Sequence, residues 1–103
     1  MTKAEFDHLY KHRQIAVHMP GTHEAAYLVN YVNQICNTAY VVDYSIVEFP
    51  YLFLMSAGHH TGWTGTGSYN DQYTKITFDE FYLAVNGMND VEDADFNDMM
   101  DMI

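Results

Sequence analysis

Residues 22–36, "THEAAYLVNYVNQIC", limit the folds open to this chain more than any other stretch. Ala25, Leu28, Val29, Val32, Ile35 and Cys36 recur at spacings of three and four, so an α-helix gathers them into one apolar stripe. Thr22 is placed to cap its start. On either side the period changes to two. Before the helix, "RQIAVHM" puts Ile15, Val17 and Met19 on one face and is closed by Pro20 and Gly21; after it, "AYVVDYSIVEF" aligns Tyr40, Val42, Tyr44 and Ile46. A helix between two extended runs needs a sheet to lie on.

The other elements follow from the same rules. Thr2 with Glu5 makes a capping-box pattern, and Phe6, Leu9 and Tyr10 continue at helical spacing, which predicts a short helix over 3–12. Pro50 cannot donate to a central ladder, so "YLFLMSA" beyond it reads as a third strand. "YTKIT" alternates again and is expected to pair with 51–57 in a hairpin with a long tip. Thr77 and Glu80 repeat the capping box, and Phe78, Phe81, Tyr82 and Val85 form a stripe ending at Gly87. The expected fold is a small α+β domain over 1–87 with about four mostly antiparallel strands and two or three helices packed on the sheet, in the order α-β-α-β-β-β-α. An acidic helix or tail over 88–103 follows it. A chain of 103 residues has room for one core.

Charge is distributed unevenly. Fourteen acidic residues face only Lys3, Lys11, Arg13 and Lys75, a net charge of −10, and eight of the acids fall after Ile76, where no Lys or Arg occurs. Such a surface repels nucleic-acid phosphate, so direct nucleic-acid binding is not expected; a partner with a basic surface is. In "NDVEDADFNDMMDMI", Phe96, Met99, Met100 and Ile103 share one helical face, while Asp90, Glu92, Asp93, Asp95, Asp98 and Asp101 occupy the rest. A helix of this kind docks on its own domain or on a partner, and its carboxylates can imitate a phosphate backbone. One cysteine excludes an internal disulfide, no basic and apolar leader is evident, and the longest apolar run is too short to span a bilayer. A cytoplasmic location without membrane contact is the expectation.

"GHHTGWTGTGSYND", residues 58–71, is the stretch richest in chemistry-bearing side chains. Its glycines fit neither GxGxxG nor GxxxxGK[ST], and it leads into a strand rather than a helix N-terminus, so a phosphate cradle is not supported. The pattern reads as a flexible hairpin tip that holds Trp63 and Tyr69 out as interface anchors, with His59 and His60 beside them as a pH-sensitive part of the patch. His8 and His12, four apart on a helix, share a face, yet neither a HExxH pattern nor a cysteine pair joins them. His18 is expected to be partly exposed, His23 is an ordinary residue at a helix start, and Cys36 is a small core residue. No cofactor or metal is implied.

In size, in its charge of −10, in the unit "IAVHMPGTHEAAYLVNYVNQI" and in the acidic end "DVEDADFNDMMDMI", the chain resembles the small acidic proteins with which bacteriophages disarm host enzymes, among them anti-CRISPR, anti-restriction and other DNA-mimic proteins. The resemblance rests on general layout, so no residue role is carried over from it. It implies stoichiometric inhibition of a host nuclease or other nucleic-acid-binding protein with no chemistry of its own, and it leaves homodimerisation open. Acids gathered at one end depart from the usual mimic, which spreads them over its surface. Two other readings stand beside it: a metal- or ligand-dependent enzyme centred on His59 and His60 with Asp71 or another nearby carboxylate as base, and a virion or assembly component.

Overall fold

The computed structural model describes residues 1–42, 44–67 and 69–87. It is an α+β domain of three helices and a four-stranded mixed sheet. Helix α1 (Lys3–Lys11) begins with the capping box, in which the Thr2 hydroxyl accepts from the Glu5 N–H at 3.1 Å and Glu5 Oε1 accepts from the Thr2 N–H at 3.0 Å. Strand β1 (Ile15–His18) leads through Pro20 and Gly21 into α2 (Thr22–Cys36). Gly21, not Thr22, is the cap residue of α2, and no side chain closes that end. Strands β2 (Tyr51–Leu54), β3 (His60–Trp63) and β4 (Thr74–Ile76) precede α3 (Phe78–Val85), whose first turn is closed by Thr77 and Glu80 as the sequence predicts.

The strands lie in the order β3-β2-β1-β4, antiparallel except for β1 and β4. Alternation sorts the side chains onto two faces. Ile15, Val17, Leu52, Leu54 and Ile76 point toward the helices and join Phe6, Tyr10, Leu28, Val32 and Phe81 in the main core. Ala16, Phe53 and Trp63 point the other way and meet Tyr73 in a second, aromatic cluster.

Two expectations are corrected. Residues 39–49 form no strand among the described residues; a single 3-10 turn at Tyr44–Val47 takes that place. The reason lies in α2, where the Asn33 amide captures the Tyr40 backbone, donating to its carbonyl at 2.8 Å and accepting its N–H at 3.1 Å. Tyr40, Val42 and Ile46 still pack against the core, which accounts for their period-two spacing, while Val41 and Val47 face solvent.

The second correction concerns the hairpin. "YTKIT" does not pair with 51–57: β4 runs parallel to β1, with Val17 opposite Ile76, and the partner of β2 is β3, with Leu52 opposite Gly62. The hairpin loop is short, closed by the Met55 N–H donating to the His59 carbonyl at 2.9 Å. Gly62 is required by packing, because a Cβ there would lie 2.7 Å from Cβ of Phe49, which covers it. Residues 64–67 and 69–73 lie beneath the face opposite the helices, between one sheet edge and the other, with Tyr69 and Tyr73 laid on Phe53.

Candidate functional site

The histidines and aromatics singled out in the sequence separate once folded. His59 is exposed on the hairpin loop, whereas His60 is 1 % exposed and points into the helix side of the sheet. Its neighbours are fixed by a chain of hydrogen bonds. Oδ1 of the Asn33 side chain accepts from the Tyr40 N–H and from the Thr38 hydroxyl, at 2.8 Å for the latter; Thr38 Oγ1 must therefore accept the proton on His60 Nε2, 2.5 Å away. His60 Nδ1 is then the unprotonated nitrogen and accepts from the Tyr10 hydroxyl at 3.0 Å. Burial, with a smaller push from His59, lowers the His60 pKa to about 4, and burial drives the Tyr10 hydroxyl well above its ordinary range. Both stay neutral at pH 7.

This arrangement commits the His60 ring to the core. Both ring nitrogens of His60 are engaged, and no lone pair is left for a metal or a substrate proton. His8 and His12 do come together, with ring centroids 4.2 Å apart, yet among the described residues no group of three or more His, Cys, Asp or Glu side chains could hold a metal ion. His18 is half-buried with its ring edge-on to Tyr51, and Cys36 is half-buried at the core margin, where burial raises its thiol pKa and weakens it as a nucleophile.

Trp63 is not held out to solvent. It is 4 % exposed, its indole N–H donates to the Thr66 carbonyl, and its ring packs on Tyr51 and Phe53. Lys75 spans the outside of this cluster with Nζ 5.6 Å from the Trp63 ring centre, 5.9 Å from that of Tyr51, and 2.8 Å from the Gly65 carbonyl oxygen. Tyr69 is half-buried beside it. The buried side chains of Trp63 and His60 thus offer a partner no surface. The acidic candidates Asp90, Glu92, Asp93, Asp95, Asp98 and Asp101, with Phe96 and Met99, lie outside the described residues.

The largest apolar side chains left uncovered on the helices lie elsewhere. Tyr27 of α2 is 42 % exposed, and Tyr82 and Leu83 of α3 are 39 % and 37 % exposed. Tyr27 and Tyr82 rings stand 5.4 Å apart, with Phe78 6.0 Å from each, and the Asn86 amide ties the two helices by donating to the Tyr27 hydroxyl at 3.3 Å. Asp79 and Glu80 sit one turn before Tyr82 and Leu83, and neither α2 nor α3 carries a Lys or Arg. An apolar centre with an acidic margin results.

The sequence held a signal for this patch. Residues 81–85 are all apolar or aromatic, so α3 has two apolar faces, and only the one with Phe81 and Ala84 enters the core. Tyr82, assigned to the core stripe by spacing, belongs to the other face. The chain matches no protein-family model, no curated protein and no solved structure. Among the described residues, no helix is long and apolar enough to cross a membrane.

Proposed function

We propose that this chain is a protein-binding module that acts by stoichiometric occupancy of a basic partner, as an inhibitor or regulator of a nuclease or another nucleic-acid-handling protein. The observation that carries the reading is the Tyr27–Tyr82–Leu83 patch, with Asp79 and Glu80 at its margin and no cation on either helix. Tyrosine is the residue type enriched at interface anchors, because a large rigid ring with a polar tip buries area at low entropic cost. The acidic margin supplies long-range attraction to a surface already furnished with Lys and Arg for nucleic acid. The likeness to phage-encoded acidic inhibitors supports the same class, and the net charge of −10 turns such a molecule away from nucleic acid itself.

The test is to immobilise the wild-type chain, the double variant Tyr27→Ala/Tyr82→Ala and a chain ending at Gly87, and to present each with basic nucleic-acid-binding proteins of the host. A salt-sensitive complex of defined stoichiometry that the double variant loses is the expected result. Far-ultraviolet circular dichroism confirms that each variant is folded. Equal retention by the wild type and the folded double variant overturns the patch as the interface. A wild-type chain that binds only itself assigns it to self-association instead.

A further inference from the structure

Arg13 is the only arginine in a chain of net charge −10, and it occupies a position that glycine would fill with less strain. Helix α1 ends in a Schellman motif: the Arg13 N–H donates to the Tyr10 carbonyl at 3.1 Å, and the Gln14 N–H to the Leu9 carbonyl at 2.9 Å. The motif places Arg13 in the left-handed region at φ 59°, where a Cβ is disfavoured. Despite fourteen carboxylates in the chain, its guanidinium has no hydrogen bond or ion pair among the described residues.

That side chain lines a cleft of about 260 Å³ on the sheet face opposite the helices. The half-buried Tyr69 is its aromatic wall, backed by the buried rings of Phe53 and Tyr73, with Phe53 4.8 Å from Tyr69 and 4.7 Å from Tyr73, ring centre to ring centre. The Tyr73 hydroxyl is committed to the Leu54 carbonyl at 2.8 Å, so Tyr73 serves the cleft as a ring. The side chains of Ser56 and Gln72, also in the lining, make no hydrogen bond among the described residues. The cleft therefore combines an aromatic wall, one uncommitted fork of cationic N–H donors and two uncommitted neutral polar groups.

We propose that this cleft binds a small monocyclic aromatic carboxylate, its ring against the half-buried Tyr69 and its carboxylate on the Arg13 guanidinium. The volume is just under the roughly 300–1,000 Å³ of drug-sized ligand sites, which suits one ring and one acid group. A planar guanidinium matches a carboxylate with two parallel hydrogen bonds, a geometry that lysine cannot reproduce. An offset or edge contact with the Tyr69 ring favours an aromatic over a saturated ring of the same size.

The test is a titration of the full chain with benzoate, followed through the ring protons of Phe53, Tyr69 and Tyr73 and the amides of residues 55, 56 and 72 by NMR. Benzyl alcohol and cyclohexanecarboxylate serve as the uncharged and the saturated probes. Saturable shifts with benzoate, at least tenfold weaker binding of the other two, and loss of binding in Arg13→Gly are expected. Arg13→Gly also relieves the left-handed residue, so it should melt at or above the wild-type temperature, which separates lost binding from lost folding. Unsaturable shifts, equal binding of cyclohexanecarboxylate, or unchanged benzoate affinity in Arg13→Gly overturns the assignment.

Discussion

Tyr10 and His60, fifty residues apart in the chain, meet across 3.0 Å in the core between α1 and β3, with the tyrosine hydroxyl donating to Nδ1 of the imidazole. The helix fixes one end and the sheet the other, and Thr38 closes the far side of the ring. Apart from tyrosine hydroxyls, His60 is the one fully buried polar side chain among the described residues, so its hydrogen bonds must be made within the protein.

The first prediction concerns acid. The folded pKa of His60 is lowered to about 4 from an unfolded value of 6.5, so the unfolded chain binds the extra proton first as pH falls. The contribution of the neutral imidazole is complete above pH 6.5 and is lost between 6.5 and 4, about 3 kcal/mol in all at about 1.36 kcal/mol per unit. Urea unfolding at pH 7 and pH 4.5 should show a stability loss in the wild type that is smaller in His60→Gln by most of that amount. An imidazole Cε1–H resonance of His60 that titrates near 6.5 would contradict the burial.

Tyr10→Phe keeps the ring and removes the donor, leaving Nδ1 of His60 unpaired in the core. The cost expected is about 1–3 kcal/mol in urea unfolding, since a buried acceptor loses its partner without regaining water. Thr38→Val opens the opposite side of the imidazole and should cost a similar amount. Because the two share one ring, the double variant should fall short of the sum.

Trp63, the only tryptophan, reports the second aromatic cluster. Its emission should be blue-shifted and resistant to acrylamide, and urea should shift it to the red in step with the loss of helix. Lys75→Met removes the cation held over Trp63 and Tyr51 and the donor to the Gly65 carbonyl, and should cost about 1 kcal/mol while increasing quenching. An indole that is freely quenched in the native wild type contradicts the structure.

The helices were legible in the sequence because their signals are local. Two capping boxes and the stripe from Ala25 to Val32 each lie within one element, and the structure returns them nearly residue for residue. The sheet was legible in number and misread in membership. "AYVVDYSIVEF" has strand composition, yet the Asn33 side chain takes the Tyr40 backbone before a ladder can, and nothing local reveals that. "HTGW" has loop composition, yet it lies between β2 and the overlying Phe49, where a side chain on residue 62 does not fit. The parallel pairing of β1 with β4 joins residues about sixty apart, beyond the reach of any periodicity argument. The exposure of Tyr82 follows from the packing of the Phe81 face of α3 on Phe6 and Tyr31, and the burial of Trp63 from a crossover that spacing does not encode.

Gly62 supplies the sharpest test of that second misreading. In Gly62→Ala the new methyl group lies 2.7 Å from Cβ of Phe49 and 3.1 Å from its carbonyl oxygen, so the segment before β2 must shift as a whole. Gly58 on the hairpin loop is the control: it has φ 83° and nothing within 4 Å of an added Cβ, so Gly58→Ala meets only the left-handed penalty of about 1–2 kcal/mol. Overpacking at 62 should cost about 1–3 kcal/mol and should also move the amide resonances of residues 46–49, while the Gly58 variant leaves them in place. Were 58–71 a free loop, Gly62→Ala would be nearly neutral and silent at Phe49. Stability and amide shifts measured side by side on the two variants therefore distinguish an edge strand packed under Phe49 from a mobile hairpin tip.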